Sequence, residues 1–340
     1  MTNERELEAT IEKIVEPGKG ILAADESMPT ITKRFKAVGI DSTDETRRAY
    51  RSLLFTTPDA DRYLSGVILF EETLGQKADD GTPLPQVLAK RGILPGIKVD
   101  KGTTPLPGAD GDLVTQGLDG LADRLAAYKA QGARFTKWRE LYPITPGNPT
   151  PLGIATNAEV LARYAAICQA QGLVPIVEPE VLIDGDHTIE RCFEVSEAVL
   201  HAVFDALHRH RVLTEGVSLK PSMVLPGKSN PSKAKPEEIA AATLKVLRRT
   251  VPASVPTINF LSGGQGPEEA TANLNAINAQ AKNAPWVLSF SFARALQDPV
   301  MHSWVGDAKN VKRSQDAFHH RLHMNSLARQ GKWQAALEKR

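Results

Sequence analysis

Along the chain, brief apolar runs that end in a charged or hydroxyl residue alternate with longer stretches of helical period. The runs are Ile21–Ala24 before Asp25, Val67–Phe70 before Glu71, Gly96–Asp100, Ala133–Arg139, Val174–Glu178, Val217–Lys220, Thr257–Ser262 and Trp286–Ser291. Short continuous apolar runs read as strands buried on both faces. Between them, Val160, Leu161, Tyr164 and Ile167 recur at helical spacing, with Asn157 as the predicted N-cap and Gly172 as the stop. Residues 116–132 carry Leu118, Leu121, Leu125 and Tyr128 in the same rhythm, and Pro236 opens a helix containing Ile239, Leu244 and Leu247. Strand and helix in regular alternation predict a parallel sheet covered by helices, and about eight such units favour a closed barrel over an open doubly wound sheet. The expected fold class is therefore α/β, a single (β/α)8 TIM barrel domain over residues 1–340. An amphipathic N-terminal helix bearing Leu7, Ile11, Ile14 and Val15 precedes it, and a helical segment without a long tail fills about 307–340. The Gly- and Pro-rich stretches 80–85, 102–111 and 143–153 are expected to be rim loops.

Composition narrows the function more than the fold. With 41 basic and 40 acidic residues the net charge is +1, so no global field draws the chain to nucleic acid or to an anionic membrane. No apolar run is long enough to span a bilayer, and the first residues lack the apolar core of a signal peptide. A cytoplasmic protein is expected, with Cys168 and Cys192 as reduced core thiols. Neither the G-x-G-x-x-G nor the G-x-x-x-x-G-K-[ST] pattern is present, which argues against dinucleotide and P-loop folds.

Candidate chemistry collects at the strand ends, which in a closed barrel share one mouth. Those ends carry Asp25, Lys98, Lys137, Arg139, Glu178, Lys220, Ser262 and Arg294. Lys220 closes an apolar run, where burial and neighbouring cations favour a nucleophilic amine and so a Schiff base. Leu261–Gly266 after the seventh run offers bare backbone N–H groups, and Ser291–Arg294 follows the eighth, the positions where such barrels hold phosphate. Lys98, Arg34 and Arg139 are candidates for a second anion, so a substrate with phosphate at both ends is expected.

The segments Gly20–Ser27, Gly96–Gly102, Lys137–Arg139, Val174–Glu180, Leu219–Pro221, Leu261–Gln265 and Arg294–Leu296 resemble, in order, the class I fructose-bisphosphate aldolases. Gln76–Gly81 and Leu274–Asn278 look like the same family, and the likeness runs from about residue 5 to about residue 332. It implies that Lys220 attacks C2 of fructose 1,6-bisphosphate, Glu178 shuttles protons and Asp25 takes the proton of the C4 hydroxyl. Lys137 would keep the amine neutral by like-charge repulsion, with Glu180 in support. Ser262, Gly263, Gly264, Ser291 and Arg294 would bind one phosphate, and Ser27, Thr30, Arg34 and Lys98 would lie toward the other. No metal or cofactor is implied, and a homo-oligomer, a tetramer by resemblance, is expected. Three departures stand out. The chain given ends at Glu338-Lys339-Arg340 without the tyrosine tail of animal members, which would alter proton exchange at the enamine carbon; Ala293 replaces a common glycine; and Met28-Pro29-Thr30 differs from the usual turn. The rival readings are a lysine-imine enzyme for fructose 1-phosphate or a heptulose bisphosphate, a zinc-dependent aldolase using some of the eight histidines, and a silent scaffold. His319, His320 and His323 on one helix and His208 and His210 at the end of another suit solvated positions better than a metal site.

Overall fold

The computed structural model describes residues 2–339. In chain order the strands are β1 (Gly20–Ala24), β2 (Leu64–Leu69), β3 (Leu94–Lys98), β4 (Thr103–Pro105), β5 (Leu113–Thr115), β6 (Phe135–Tyr142), β7 (Val174–Val181), β8 (Ser218–Leu219), β9 (Thr257–Phe260) and β10 (Val287–Phe292). The helices are α1 (Thr2–Ile14), α2 (Met28–Ala37), α3 (Asp44–Phe55), α4 (Glu71–Gly75), α5 (Leu84–Lys90), α6 (Leu121–Ala130), α7 (Pro151–Ala170), α8 (Ile189–Arg209), α9 (Pro236–Thr250), α10 (Pro267–Gln280), α11 (Arg294–Trp304) and α12 (Val311–Arg329). Eight strands, all parallel, close into the barrel β1-β2-β3-β6-β7-β8-β9-β10, and β10 pairs back onto β1 through Ile21 and Ser291. The expected barrel is the observed one.

Two apolar layers hold it. Outward-facing strand residues pack against the ring of helices, while Ile21, Ala23, Ile68, Phe135, Val174 and Ile176 fill the interior together with Leu7, Ile11 and Ile14 of α1. Helix α1 thus covers the N-terminal end of the barrel, its three buried aliphatics contributing about 2 kcal/mol each. Glycine makes room for rings in both layers. A Cβ at Gly96 would lie 2.2 Å from the interior Phe135 ring, and one at Gly20 would lie 2.5 Å from Phe290 of the outer layer. Filling that end of the interior with Phe135, aliphatic side chains and the cap leaves the polar groups to gather at the other end.

Several boundaries differ from expectation. Helix α7 begins at Pro151, capped by the Thr150 hydroxyl on the N–H of Gly153. Asn157, read as its N-cap, is buried inside it and donates to the carbonyl of Leu113 at 2.9 Å. The stretch 102–111 is not plain loop, because β4 pairs antiparallel with β5 in a short hairpin. The helix expected over 116–132 shortens to α6, since Gln116 continues the hairpin by exchanging backbone hydrogen bonds with Lys101 and Gly102. At the far end, α12 is followed by a 3₁₀ turn over Ala335–Lys339. Arg329 reaches from α12 to the other end of the chain, donating to the carbonyls of Val15, Glu16 and Lys19.

Candidate active site

The parallel register brings four charged side chains from four strand ends to one point. Asp25 follows β1, Lys137 lies on β6, Glu178 on β7 and Lys220 after β8; none is more than 8% exposed. The N–H of Lys220 donates to Val177 O at 2.8 Å, continuing the β7–β8 ladder and fixing the backbone from which the amine projects. Glu178 stands between the two lysines: Oε1 is 3.1 Å from Lys220 Nζ and Oε2 is 3.3 Å from Lys137 Nζ, the second contact ionic without hydrogen-bond geometry. Lys137 is also 2.8 Å from Asp25 Oδ2. One acid, one cation, a second acid and a second amine therefore form a continuous chain across the mouth.

Burial without partners would drive these charges off, so the pairing decides their state. Burial pushes Asp25 up, but the charges of Lys137, Lys220 and Lys98 outweigh it and hold the carboxyl at about 2. Burial likewise works against the ammonium of Lys137, and the carboxylates of Asp25, Glu178 and Asp100 more than reverse it, raising Lys137 above its ordinary value. The site thus keeps a fixed cation and a fixed carboxylate side by side. An ionised acid next to a held proton donor is suited to moving protons on a bound hydroxyl.

The other predicted residues take two places. Ser262 follows β9, and the turn after it places Gly263 and Gly264 at φ +49° and +85°, conformations that favour glycine. Gln265 braces that turn, donating to Ser262 O at 2.9 Å and accepting from Asn273 of α10 at 2.7 Å. Arg294 opens α11 beside it, its guanidinium 3.5 Å from where a Cβ on Gly264 would lie, and the Ser291 hydroxyl is buried with no partner among the described residues. On the opposite side, Ser27 and Lys98 border a cavity of about 400 Å³ with Asp100, Lys101, Arg124 and Tyr128. Ser27 and Thr30 share a hydrogen bond of 3.1 Å at the start of α2. Lys98 is paired with Asp100, and Arg139 with Glu180. Arg34 is tied to Glu26 and to Asp298 at 2.7 Å, so it is not one of the central four.

Sequence reasoning passed over two carboxylates that organise these cations. Glu26 is buried with Arg51 at 2.7 Å and accepts from Gln297 at 2.8 Å; burial would raise its carboxyl, but Arg51 and Arg34 pull it below its ordinary range. Asp100 lies two residues beyond Lys98, a spacing that shares one face of a strand, and that spacing was the available signal. The histidines lie elsewhere. His319 and His323 flank the ring of Tyr63 at 5.3 and 5.6 Å, and His320 meets Glu338 at 3.0 Å. No group of three His, Cys, Asp or Glu among the described residues is arranged to hold an ion.

Comparison with known proteins places this geometry. The family model for class-I fructose-bisphosphate aldolase matches residues 6–340. The cytoplasmic isozyme of fructose-bisphosphate aldolase from Spinacia oleracea is 56% identical, covering 97% of this chain and 92% of its own. The cytosolic fructose-bisphosphate aldolase 6 of Arabidopsis thaliana is 56% identical over 96% of this chain and 91% of its own. Among solved structures, fructose-bisphosphate aldolase from Plasmodium falciparum, in a ternary co-crystal with TRAP and a small-molecule inhibitor, superposes with a TM-score of 0.97 at 48% identity. That alignment covers 98% of this chain and 97% of the other. Likeness of this depth, continuous from end to end, leaves no part of the barrel unaccounted for, and the chain belongs to the class-I fructose-bisphosphate aldolase family, a family of lyases.

Proposed function

We propose that Lys220 is the nucleophile of this aldolase and that Glu178, Asp25 and Lys137 divide the proton transfers among them. The observation that carries the reading is the position of Glu178, with one carboxylate oxygen toward each lysine. Lys220 Nζ adds to the C2 ketone of fructose 1,6-bisphosphate, and Glu178, 3.1 Å away, relays the proton from nitrogen to the departing C2 hydroxyl, which leaves as water. The resulting iminium accepts the electron pair of the C3–C4 bond when Asp25 removes the C4 hydroxyl proton. Glyceraldehyde 3-phosphate departs; the enamine is protonated at C3, and water then releases dihydroxyacetone phosphate and regenerates the amine. Lys137, cationic between Asp25 and Glu178, balances the charge of both acids and positions the sugar hydroxyls.

One phosphate fits the turn Ser262–Gly264 with Ser291 and Arg294, where backbone N–H groups and a guanidinium converge. Toward the second phosphate lie Ser27, Thr30 and Lys98, with Arg34 and Arg139 farther along the rim. The names of the spinach and Arabidopsis relatives support a cytoplasmic enzyme, and the aldolase reaction itself supports a place in glycolysis and, in reverse, gluconeogenesis. Family resemblance supports a homotetramer.

Trapping tests the nucleophile. Borohydride added with dihydroxyacetone phosphate is expected to leave a permanent adduct on the peptide containing Lys220, equally with and without EDTA, and Lys220→Ala is expected to abolish both adduct and turnover. Mass spectrometry that finds the adduct on another lysine overturns the assignment.

A further inference from the structure

Lys98, Lys101 and Arg124 are the cations that border the cavity beside Ser27, and two of them are already engaged. Lys98 is paired with Asp100 and also donates to that residue's carbonyl at 3.1 Å. Arg124 of α6 gives its guanidinium to the carbonyls of Val99, at 3.0 Å, and Gly117. Lys101 differs. Its Nζ makes no hydrogen bond among the described residues, and its ion-pair partner there, Glu71 Oε2, lies 3.7 Å away, beyond hydrogen-bond range. The Lys101 side chain is 49% exposed, so its ammonium has room to turn toward another acceptor.

The chain holds this lysine at its root and leaves its tip free. Lys101 N–H donates to Gln116 O at 2.8 Å, and Gln116 N–H returns to Gly102 O at 2.9 Å. Gly117, at φ +123°, lets the lysine pass close: a Cβ there would lie 3.0 Å from Lys101 Cγ and 3.1 Å from its backbone nitrogen. Glu71, which opens α4, is fixed from the other side, because Tyr128 Oη donates to its Oε1 at 2.8 Å and leaves Oε2 toward Lys101. The pair is therefore a loose one between an anchored carboxylate and a mobile ammonium, and a phosphate brings more charge and more acceptor oxygens to the same nitrogen.

Barrel order decides which phosphate that is. The C1 phosphate is attached next to the C2 that Lys220 attacks, and β8, which leads into Lys220, neighbours β9, which leads into the turn Ser262–Gly264. The cavity between Ser27, after β1, and Lys98, on β3, is left for the phosphate on C6. We propose that Lys101 is a specificity-determining residue: its ammonium turns from Glu71 to the C6 phosphate and so favours fructose 1,6-bisphosphate over fructose 1-phosphate. Glu71 is the competitor that holds the lysine when no phosphate is there. The inference rests on the active-site reading given above.

The test is the ratio of kcat/KM for fructose 1,6-bisphosphate to kcat/KM for fructose 1-phosphate in the intact enzyme. Lys101→Met keeps the stem and removes the charge, and is expected to lower that ratio roughly three- to thirtyfold through KM for the bisphosphate, the effect of one charge-assisted contact at a half-exposed site. Lys101→Arg is expected to restore most of it. Glu71→Gln, whose remaining oxygen still accepts from Tyr128, is expected to raise the ratio roughly two- to fivefold. Damage to the fold that slows both substrates alike cancels in the ratio. A ratio unmoved by Lys101→Met, or not raised by Glu71→Gln, overturns the proposal. Dihydroxyacetone phosphate carries only the C1 phosphate, so borohydride trapping separates the two failures: a wild-type adduct at Lys220 with an unmoved ratio sinks only the role of Lys101, and no wild-type adduct sinks the active-site reading.

Discussion

Asp25, the base of the proposed mechanism, binds a proton weakly in the free enzyme. Its carboxyl is held at about 2 against an ordinary 3.8, so it is ionised throughout the working range. Its contribution to stability is in place above about pH 4 and is lost as pH falls through about 2, the sign expected when the folded state depresses an acid. In the proposed role, a base this weak takes the proton only as C3–C4 cleavage turns the C4 hydroxyl into a strongly acidic protonated carbonyl, which couples the transfer to bond breaking. Asp25→Asn keeps the shape and removes the base, so kcat is expected to fall by roughly 10² to 10⁴ with KM little affected, read by steady-state kinetics. A loss under about tenfold would move the base elsewhere. Asp25, Lys137, Glu178 and Lys220 were legible, with Lys98, Arg139, Ser262 and Arg294, as polar ends of apolar runs, and the likeness to the aldolases set the four apart. Glu26 and Asp100 were not legible, since their meaning depends on partners: Gln297, which donates to Glu26, is 271 positions away.

Alternation along β6 is the device that separates chemistry from packing. Lys137 and Arg139 reach the ion pairs of the mouth, while Trp138 packs at a tilt against Tyr164 of α7, ring centres 5.4 Å apart, and Glu140 goes under the hairpin. The eight barrel strands were legible because apolar residues crowd them, but their ends were not, since β6 and β7 run on past the charges of Arg139 and Glu178, where the apolar runs stop, to Tyr142 and Val181. The hairpin was hidden for a related reason. Its strands are three residues each and lie among prolines and glycines, so no period could form. Asn157 misled because a polar residue before an apolar stripe imitates a cap, whereas here it serves a carbonyl of β5. Packing at this scale is tested by Gly96→Ala, whose new methyl meets Phe135. Chemical denaturation is expected to show a loss of about 1–3 kcal/mol, and a change below about 0.5 kcal/mol would mean that the ring moves freely aside.

At the scale of the whole molecule, closure is what makes the strand-end charges one site: an open sheet would spread Asp25 and Lys220 along an edge. The count of alternating units was enough to anticipate that closure, because a parallel sheet with helices outside it has few other ways to bury both faces. Association lies beyond a single chain. Sedimentation of the purified protein is expected to give four times the chain mass of 36.9 kDa, and a species of one chain mass at working concentration would count against the tetramer. The grip of Arg329 on the first turns has a consequence for how the protein is made. That residue is 313 positions from Glu16, so the first turns wait for the synthesis of all the intervening residues before those carbonyls find their donor. Contacts of such separation are the slow ones to form, and while the intervening residues are being made the early segments go without them.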